Sequence, residues 1–177
     1  MSPFRPDLVD VWMFRARAPG QTSELPAGFE PEAIEILLLC RAKDDDILPG
    51  LWQGVSGGLD DGETAVAAAL RELSEETGFG PDQIEGFYHL DQVNQFLDQS
   101  SAGVVTAAVF AVRLRPGVEP VLSREHDAMR WVPTAEALEL AVWPDYRESI
   151  RRIVENLLDP ERAVWFELTL AGERARR

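Results

Sequence analysis

GGLDDGETAVAAALRELSEETGF, residues 57–79, joins a glycine-rich turn to a run of helix-forming residues. Apolar side chains recur at the i, i+3, i+4 and i+7 spacing of one buried helix face, namely Val66, Ala69, Leu70 and Leu73. Glu63 and Thr64 supply polar groups before this run, and Gly78 stands where a left-handed residue commonly ends a helix. The stretch therefore predicts a loop followed by a helix of about three to four turns.

Three glutamates fall on one arc of this predicted helix, next to the apolar stripe. Glu72 and Glu76 form an i, i+4 pair with Glu75 between them, and like charges at that spacing destabilise a helix by about 0.2–0.5 kcal/mol. A hard divalent cation would offset this repulsion, because Mg²⁺ and Mn²⁺ prefer carboxylate oxygen. Arg71, one turn before Glu75, can pair with it. The alternative is a solvated acidic face, the usual reason for a run of charge.

The order of residues favours the metal interpretation. The stretch fits G-x5-E-x7-R-E-U-x-E-E-x-G-U, where U is aliphatic or aromatic, at every fixed place: Gly57, Glu63, Arg71, Glu72, Leu73, Glu75, Glu76, Gly78 and Phe79. From average residue usage, a chance match in a chain of this length is on the order of one in ten million. This pattern is the Nudix box, and the chain resembles a Nudix hydrolase.

The resemblance implies hydrolysis of a phosphoanhydride, either in a nucleoside diphosphate linked to another group or in an NTP. We expect Mg²⁺ as the cofactor, with Mn²⁺ as a substitute, bound by Glu72 and Glu76 with Glu75 as a further ligand. The family pattern adds a backbone carbonyl from the turn at Ser56–Gly57. Glu63 and Arg71 are expected to orient the ligands. The general base stays open, with Glu75 as one candidate.

Three segments outside the box resemble the dihydroneopterin triphosphate pyrophosphatase branch of the superfamily. They are WQGVSG at 52–57, SREHDAMRW at 123–131 and WPDYRESI at 143–150. The branch pattern makes Glu125 an additional metal ligand, whereas an exposed loop acid is its alternative. We expect His126 to be a loop or packing residue and not a metal ligand, because hard cations prefer oxygen.

Substrate contacts are predicted at four positions: Arg41, Ser56, Trp52 and Tyr146. Arg41 can grip a phosphate with bidentate hydrogen bonds, although it can equally be a strand-end surface residue. Phe96 and Trp143 join Trp52 as candidates for stacking on a base, with the hydrophobic core as their alternative. Two departures from the branch, a stretch without basic residues between Glu85 and Thr106 and an extra loop at 19–31, leave the pterin substrate open beside a (d)NTP.

Length and composition indicate one globular domain over residues 1–177, with 45% hydrophobic residues. The net charge of −14 argues against long nucleic acid, because phosphate contacts need a basic surface. A small phosphorylated substrate remains compatible with that charge. With one cysteine, no apolar run of membrane-spanning length and no export signal, we expect a cytoplasmic protein without a membrane partner. The oligomeric state stays open, a homodimer being one alternative.

Strands and helices alternate along the rest of the chain, which predicts an α/β fold. The resemblance implies a Nudix-type α/β/α sandwich around a central mixed β-sheet. Strands are predicted at 7–17, 33–41, 51–55, 85–93, 102–114 and 127–132, and further helices at 133–140 and 145–158. Residues 163–170 are predicted as a final strand or as an arm against the body.

Three functions compete at this point. The leading one is a metal-dependent pyrophosphohydrolase that converts dihydroneopterin triphosphate or a (d)NTP into the monophosphate and pyrophosphate. The second is an ADP-ribose or nucleotide-sugar pyrophosphatase, a branch that often carries a downstream residue not found here. The third is a Nudix-fold ligand sensor without turnover. The complete set of box carboxylates argues against the third.

Overall fold

The computed structural model describes residues 5–17, 33–45, 48–98 and 102–175, so the predicted loop at 19–31 lies outside the described residues. Its elements, in chain order, are β1 (Leu8–Ala16), β2 (Ile34–Arg41), β3 (Trp52–Gln53), β4 (Val55–Gly58), α1 (Ala65–Thr77), a 3-10 turn (Pro81–Gln83), β5 (Ile84–Asp98), β6 (Gly103–Leu114), β7 (His126–Pro133), α2 (Thr134–Leu140), α3 (Pro144–Arg152), a π-helical turn (Ile153–Leu157), α4 (Pro160–Ala163) and β8 (Glu167–Leu168).

Within the described ranges, eight strands form one mixed sheet in the order β3-β2-β1-β6-β5-β8, with β4 paired to β1 and β7 paired to β2. The β1–β6 pair is parallel, whereas the other pairs are antiparallel. Helix α1 covers one face over a core that includes Val11, Leu37 and Leu73. The other face carries α2 and α3 over a core that includes Phe14 and Ile150. The predicted α/β class with a central mixed sheet is confirmed.

Strand β1 changes partner halfway along its length. Its first half, Leu8–Val11, pairs with β4, and its second half, from Met13 to Ala16, pairs with β2. The predicted single strand at 51–55 is therefore wrong: it divides at Gly54, where the chain passes from β2 to β1. A Cβ at Gly54 would lie 2.6 Å from the Val11 carbonyl oxygen, so this close crossing requires glycine. Strand β1 therefore has two antiparallel partners in succession, β4 along its first half and β2 along its second half.

Strand β5 runs to Asp98, further than predicted, and contains an irregularity. Its pairing with β6 shifts register between His89 and Val93, and Asp91 has a left-handed φ of 50°. The Arg152 guanidinium holds this bulge by donating to the carbonyl oxygens of Leu90 and Asp91, at 3.0 and 2.8 Å. Bulges re-aim side chains within a strand. Here the bulge shifts the pairing of β5 with β6, so the side chains after Asp91 no longer follow the alternation of the first half of the strand.

Two boundaries near the C-terminus differ from the prediction. The helix predicted over 145–158 is regular only to Arg152 and continues as the π-helical turn, where Ile153 and Leu157 still reach the core. The final strand or arm predicted over 163–170 reduces to the two residues of β8, because α4 and a turn occupy the preceding positions. In the described part of the chain, no helix has the length and apolarity needed to cross a membrane.

Candidate active site

Helix α1 is capped as its sequence predicts. The Thr64 side chain accepts a hydrogen bond from the Ala67 amide at 3.2 Å, and Gly78 adopts φ 70° while its N–H donates to the Ser74 carbonyl at 2.9 Å. The buried face is rotated from the predicted stripe, since Val66 and Leu70 are only partly buried. Fully buried positions are Ala68, Ala69, Leu73, Glu76 and Thr77. This rotation directs Glu76 toward the sheet instead of placing it beside the apolar stripe.

Glu76 is a buried carboxylate, 2% exposed, beneath the turn of β4. Its Oε1 accepts from the Ser56 amide at 3.3 Å, whereas Oε2 has no hydrogen-bond partner in the described ranges. Burial, together with the charges of Glu125 and Glu72, raises the pKa of Glu76 to about 8. A buried carboxylate with an unpaired oxygen is costly to fold around, so it indicates a ligand group.

Glu72 lies directly against the glycine of the turn. A Cβ built on Gly57 would fall 2.0 Å from the Glu72 carboxyl carbon, so the backbone and the carboxylate approach more closely than any other residue would allow. A Cβ on the neighbouring Gly58 would meet nothing within 4 Å. Burial raises the pKa of Glu72, opposed by the hydrogen bond from Arg71. Gly57 thus brings the backbone of β4 to the carboxylates of α1.

Arg71 organises the acidic side chains around it. Its Nε and Nη2 donate to the two oxygens of Glu63 at 3.0 and 2.8 Å, and Nη1 donates to Glu72 at 2.7 Å and to Glu75 at 3.3 Å. Nη2 also donates to the Gly58 carbonyl at 2.8 Å. The predicted pairing with Glu75 exists, but the bidentate pair with Glu63 is shorter. Arg71 therefore links the turn to the helix.

Glu63→Gln is expected to lower the free energy of unfolding at neutral pH and to leave it unchanged near pH 2. The hydrogen bonds from Arg71 lower the pKa of Glu63 to about 2, below its value of 4.5 in a model peptide. A lowered pKa contributes stability that is present above pH 4.5 and is lost as the pH falls through 2. Denaturant unfolding of both proteins from pH 7 to pH 2 measures this difference. Glu139→Gln, an exposed change of the same charge on α2, is the control. If the difference in unfolding free energy between wild type and Glu63→Gln does not depend on pH, the stabilising role of the Arg71–Glu63 pair is contradicted.

The loop before β7 brings two further side chains to Glu76. The Ser123 amide donates to the Glu76 carbonyl at 3.1 Å, and the Glu125 carbonyl accepts from the Ala42 amide at 2.8 Å. Glu125 is exposed, yet its charge raises the pKa of both Glu76 and Glu72. His126 Nε2 lies 3.5 Å from Glu76 Oε2, with both side chains almost fully buried. His126 is thus a packing residue with a polar function, since it faces the unpaired oxygen.

These residues fit a divalent cation. The donors are carboxylate oxygens, the unpaired Oε2 of Glu76 is buried among them, and Glu72 and Glu125 add negative charge on the same side. Over the described residues, no three acidic, histidine or cysteine side chains already form a ready-made metal cluster. Glu72 is turned toward Arg71, and the Glu75 side chain is 60% exposed. Rotation of these two side chains is needed to complete a cation site.

The predicted substrate-binding residues divide into two groups. Ser56 lies at the centre, because its amide donates to Glu76 and its side chain lies beside Asp10, whose pKa it lowers. Arg41 is paired with Asp45, and its charge acts on Glu76 and His126. The other two are aromatic. Trp52 faces the Arg130 guanidinium at 5.8 Å, and Tyr146 is 4% exposed between the rings of Trp12 and Phe96, where the charges of Asp10 and Glu76 act on its hydroxyl. Their contact with substrate stays a prediction.

Sequence reasoning missed a second buried polar group beside this site. Asp10 is 2% exposed on β1, where it accepts a 2.7 Å hydrogen bond from Asn94 of β5. Burial raises its pKa to about 6. Gln92, on the bulge of β5, donates to Asn94 at 2.6 Å. One sequence signal was available: Asp10 interrupts the apolar run of β1, which is an expensive position for a carboxylate without a purpose.

Comparison with known proteins gives a consistent result. The model of the NUDIX domain matches residues 29–153. An octanoyltransferase of Myxococcus xanthus is 35% identical over 126 residues, which are 71% of this chain and 33% of that protein. An 8-oxo-(d)GTP phosphatase of Mycolicibacterium smegmatis is 30% identical over 146 residues, 82% of this chain and 42% of that protein. The chain thus spans less than half the length of these two relatives.

Two further similarities extend over most of both chains. The dihydroneopterin triphosphate diphosphatase of Escherichia coli is 28% identical over 135 residues, 68% of this chain and 83% of that enzyme. Among solved structures, an Ap4A hydrolase of C. elegans has a TM-score of 0.65 at 22% identity and covers 85% of this chain and 96% of its own. The structural similarity, at that identity, concerns the fold alone.

Proposed function

Because this chain belongs to the Nudix domain family, whose hydrolases act on phosphoanhydrides, we propose that it is a divalent-metal-dependent pyrophosphohydrolase. Its substrate is a small nucleotide-like triphosphate, either dihydroneopterin triphosphate or a (d)NTP, and its products are the monophosphate and pyrophosphate. The names of the mycobacterial and E. coli relatives support this substrate class.

One observation carries the proposal: the unpaired carboxylate oxygen of Glu76, buried against the turn that contains Gly57. A buried carboxylate whose pKa is raised to about 8 is typical of a functional site. Glu72, Glu76 and Glu125 would hold the cation, with Glu75 and the Gly57 carbonyl as further donors. When bound, such a cation neutralises phosphate oxygens and lowers the pKa of the attacking water.

The remaining residues position these groups. Arg71 fixes the approach of Glu72 to the turn and keeps Glu63 against the Asp60 amide, which donates to Glu63 at 3.0 Å. His126 faces Oε2 of Glu76 and can orient that carboxylate. Glu75 is our candidate for the general base, because its exposed carboxylate can accept a proton from a water molecule next to the substrate.

The proposal is tested by release of pyrophosphate in the presence of Mg²⁺. We expect turnover of dihydroneopterin triphosphate or of at least one (d)NTP, and loss of that turnover when EDTA is added. ADP-ribose and a sugar nucleotide serve as comparison substrates, and their products are identified by chromatography. Turnover confined to these comparison substrates, or turnover that persists in EDTA, contradicts the proposal.

A further inference from the structure

A chain of buried polar groups leads from the carboxylates of α1 to the opposite core. Ser56 donates its amide to Glu76, and its side chain lies beside Asp10 and lowers the pKa of that carboxyl, so these two carboxylates share one neighbour. Asp10 Oδ2 accepts from Asn94, and Asn94 Oδ1 accepts from Gln92. Such a network across β1, β4 and β5 is expensive unless every member is satisfied. Atoms of this network that have no hydrogen-bond partner are therefore informative.

Three atoms of this region have no hydrogen-bond partner among residues 5–17, 33–45, 48–98 and 102–175. They are the acceptors Asp10 Oδ1 and Gln92 Oε1 and the donor Trp12 Nε1. Trp12 follows Asp10 on the same face of β1, and its ring contacts Tyr146 at 5.3 Å. The charge of Asp10 acts on the Tyr146 hydroxyl, which places these side chains together. Two acceptors and one donor thus stay unmatched in a buried location.

These atoms lie where buried and partly exposed side chains of the sheet meet. Asp10, Asn94 and Trp12 are buried, whereas Ser56, Gln92 and Phe96 are partly exposed. Gln92 is placed by the β5 bulge, and its side-chain amide also donates to the Asp145 carbonyl at 3.0 Å. Phe96 contributes a ring next to Tyr146, at 6.1 Å between centroids. The partly exposed Phe96 ring is a surface on which a planar ring can stack.

We propose that Asp10, Gln92 and Trp12 bind the 2-amino-4-oxopyrimidine edge that guanine and the pterins share. That edge presents an amino group, a ring N–H and a carbonyl oxygen, which supply the two donors and the one acceptor that these three side chains lack. Adenine presents an amino donor next to a ring nitrogen acceptor, and cytosine presents one donor with two acceptors. Each would set a lone pair against a buried oxygen, and such mismatches are strongly rejected.

This inference rests on the proposed function, since the edge belongs to the substrate that is hydrolysed. The first experiment compares kcat/KM of the protein of residues 1–177 with Mg²⁺ for GTP, dGTP, dihydroneopterin triphosphate, ATP and CTP. We expect the guanine or pterin substrates to exceed ATP and CTP by roughly 100-fold or more. Comparing GTP and dGTP with dihydroneopterin triphosphate shows whether the recognised edge belongs to guanine or to a pterin. Turnover without this preference overturns the inference and leaves the proposed function intact.

Variants of Asp10 and Trp12 test whether these side chains set the preference for the guanine or pterin edge. Asp10→Asn turns an acceptor into a donor, so we expect the ratio of kcat/KM for the guanine or pterin substrate to kcat/KM for ATP to fall at least tenfold. Trp12→Phe removes the Nε1 donor and keeps the ring, so a smaller fall is expected. Glu139→Gln, the exposed control on α2, should keep the wild-type ratio. An unchanged ratio in folded Asp10→Asn contradicts the assignment of Asp10.

Binding of monophosphates tests recognition of the edge independently of hydrolysis. Calorimetry of wild-type protein with GMP, neopterin monophosphate and AMP measures recognition of the edge directly. We expect GMP or neopterin monophosphate to bind at least tenfold more tightly than AMP. If AMP binds as tightly as both, the inference fails even where hydrolysis is observed. If no phosphoanhydride is hydrolysed but the preference in binding persists, the proposed function fails and the edge recognition stands.

Discussion

Glu76→Gln is expected to abolish Mg²⁺-dependent turnover and, at the same time, to make the metal-free protein more stable. The amide keeps the size of the side chain but removes the negative charge that would bind the cation. Loss of activity should exceed the roughly 10–100-fold cost of changing an outer-shell residue of a metal site. Pyrophosphate release at saturating Mg²⁺ measures this effect. Activity within tenfold of wild type contradicts the role of Glu76.

The gain in stability follows from the raised pKa. Burial shifts the pKa of Glu76 from 4.5 to about 8, so the folded protein binds a proton between these values that the unfolded chain has released. Stability is therefore lost as the pH rises through this window, and at pH 7 the loss is on the order of 2–3 kcal/mol. Glutamine removes this loss, which corresponds to a rise in Tm of about 5 °C or more.

Thermal unfolding in EDTA from pH 4.5 to pH 8 distinguishes this cause from a general effect of the substitution. The advantage of Glu76→Gln should be near zero at pH 4.5 and should grow toward pH 8. Adding Mg²⁺ should raise the Tm of wild type and leave the variant unchanged, because a ligand that binds the folded state stabilises it. Glu139→Gln is again the control. A variant less stable than wild type at every pH contradicts the unpaired, buried state of Glu76.

The second large effect is expected from an alanine at Gly57, in contrast to one at Gly58. A methyl group at Gly57 would lie 2.0 Å from the Glu72 carboxyl carbon, whereas at Gly58 it would meet nothing within 4 Å. The Glu72 side chain must therefore move away from the turn in Gly57→Ala. A displacement of about 1 Å at a catalytic group can cost on the order of 100-fold, and we expect a loss of this size in kcat.

The fold itself should tolerate this substitution. The clash involves the far end of a flexible side chain, and the φ angle of Gly57 is not in the left-handed region. We expect unfolding free energies of Gly57→Ala and Gly58→Ala within about 1 kcal/mol of wild type, which is typical of changes away from the core. Activity of Gly58→Ala should stay near that of wild type. Equal activities of the two variants contradict the close approach of turn and carboxylate.

The sequence determined the elements whose information is local. The period of the apolar residues, the cap at Thr64 and the left-handed Gly78 lie within one stretch, so helix α1 was predictable to within one or two residues of its ends. The i, i+4 spacing likewise predicted the contact between Arg71 and Glu75. The order of glycine, arginine and glutamates identified the family without coordinates. These features depend on neighbours along the chain.

Tertiary structure alone decided which of these groups are buried and what they face. Glu72, Glu75 and Glu76 are equivalent in the sequence pattern, yet only packing of α1 on the sheet leaves Glu76 2% exposed and Glu75 open to solvent. Asp10 and Asn94 are 84 positions apart and meet because β1 and β5 flank β6. The pKa of a carboxylate follows from such distant contacts, since desolvation depends on everything packed around it. A single chain read in order contains no local signal for that environment.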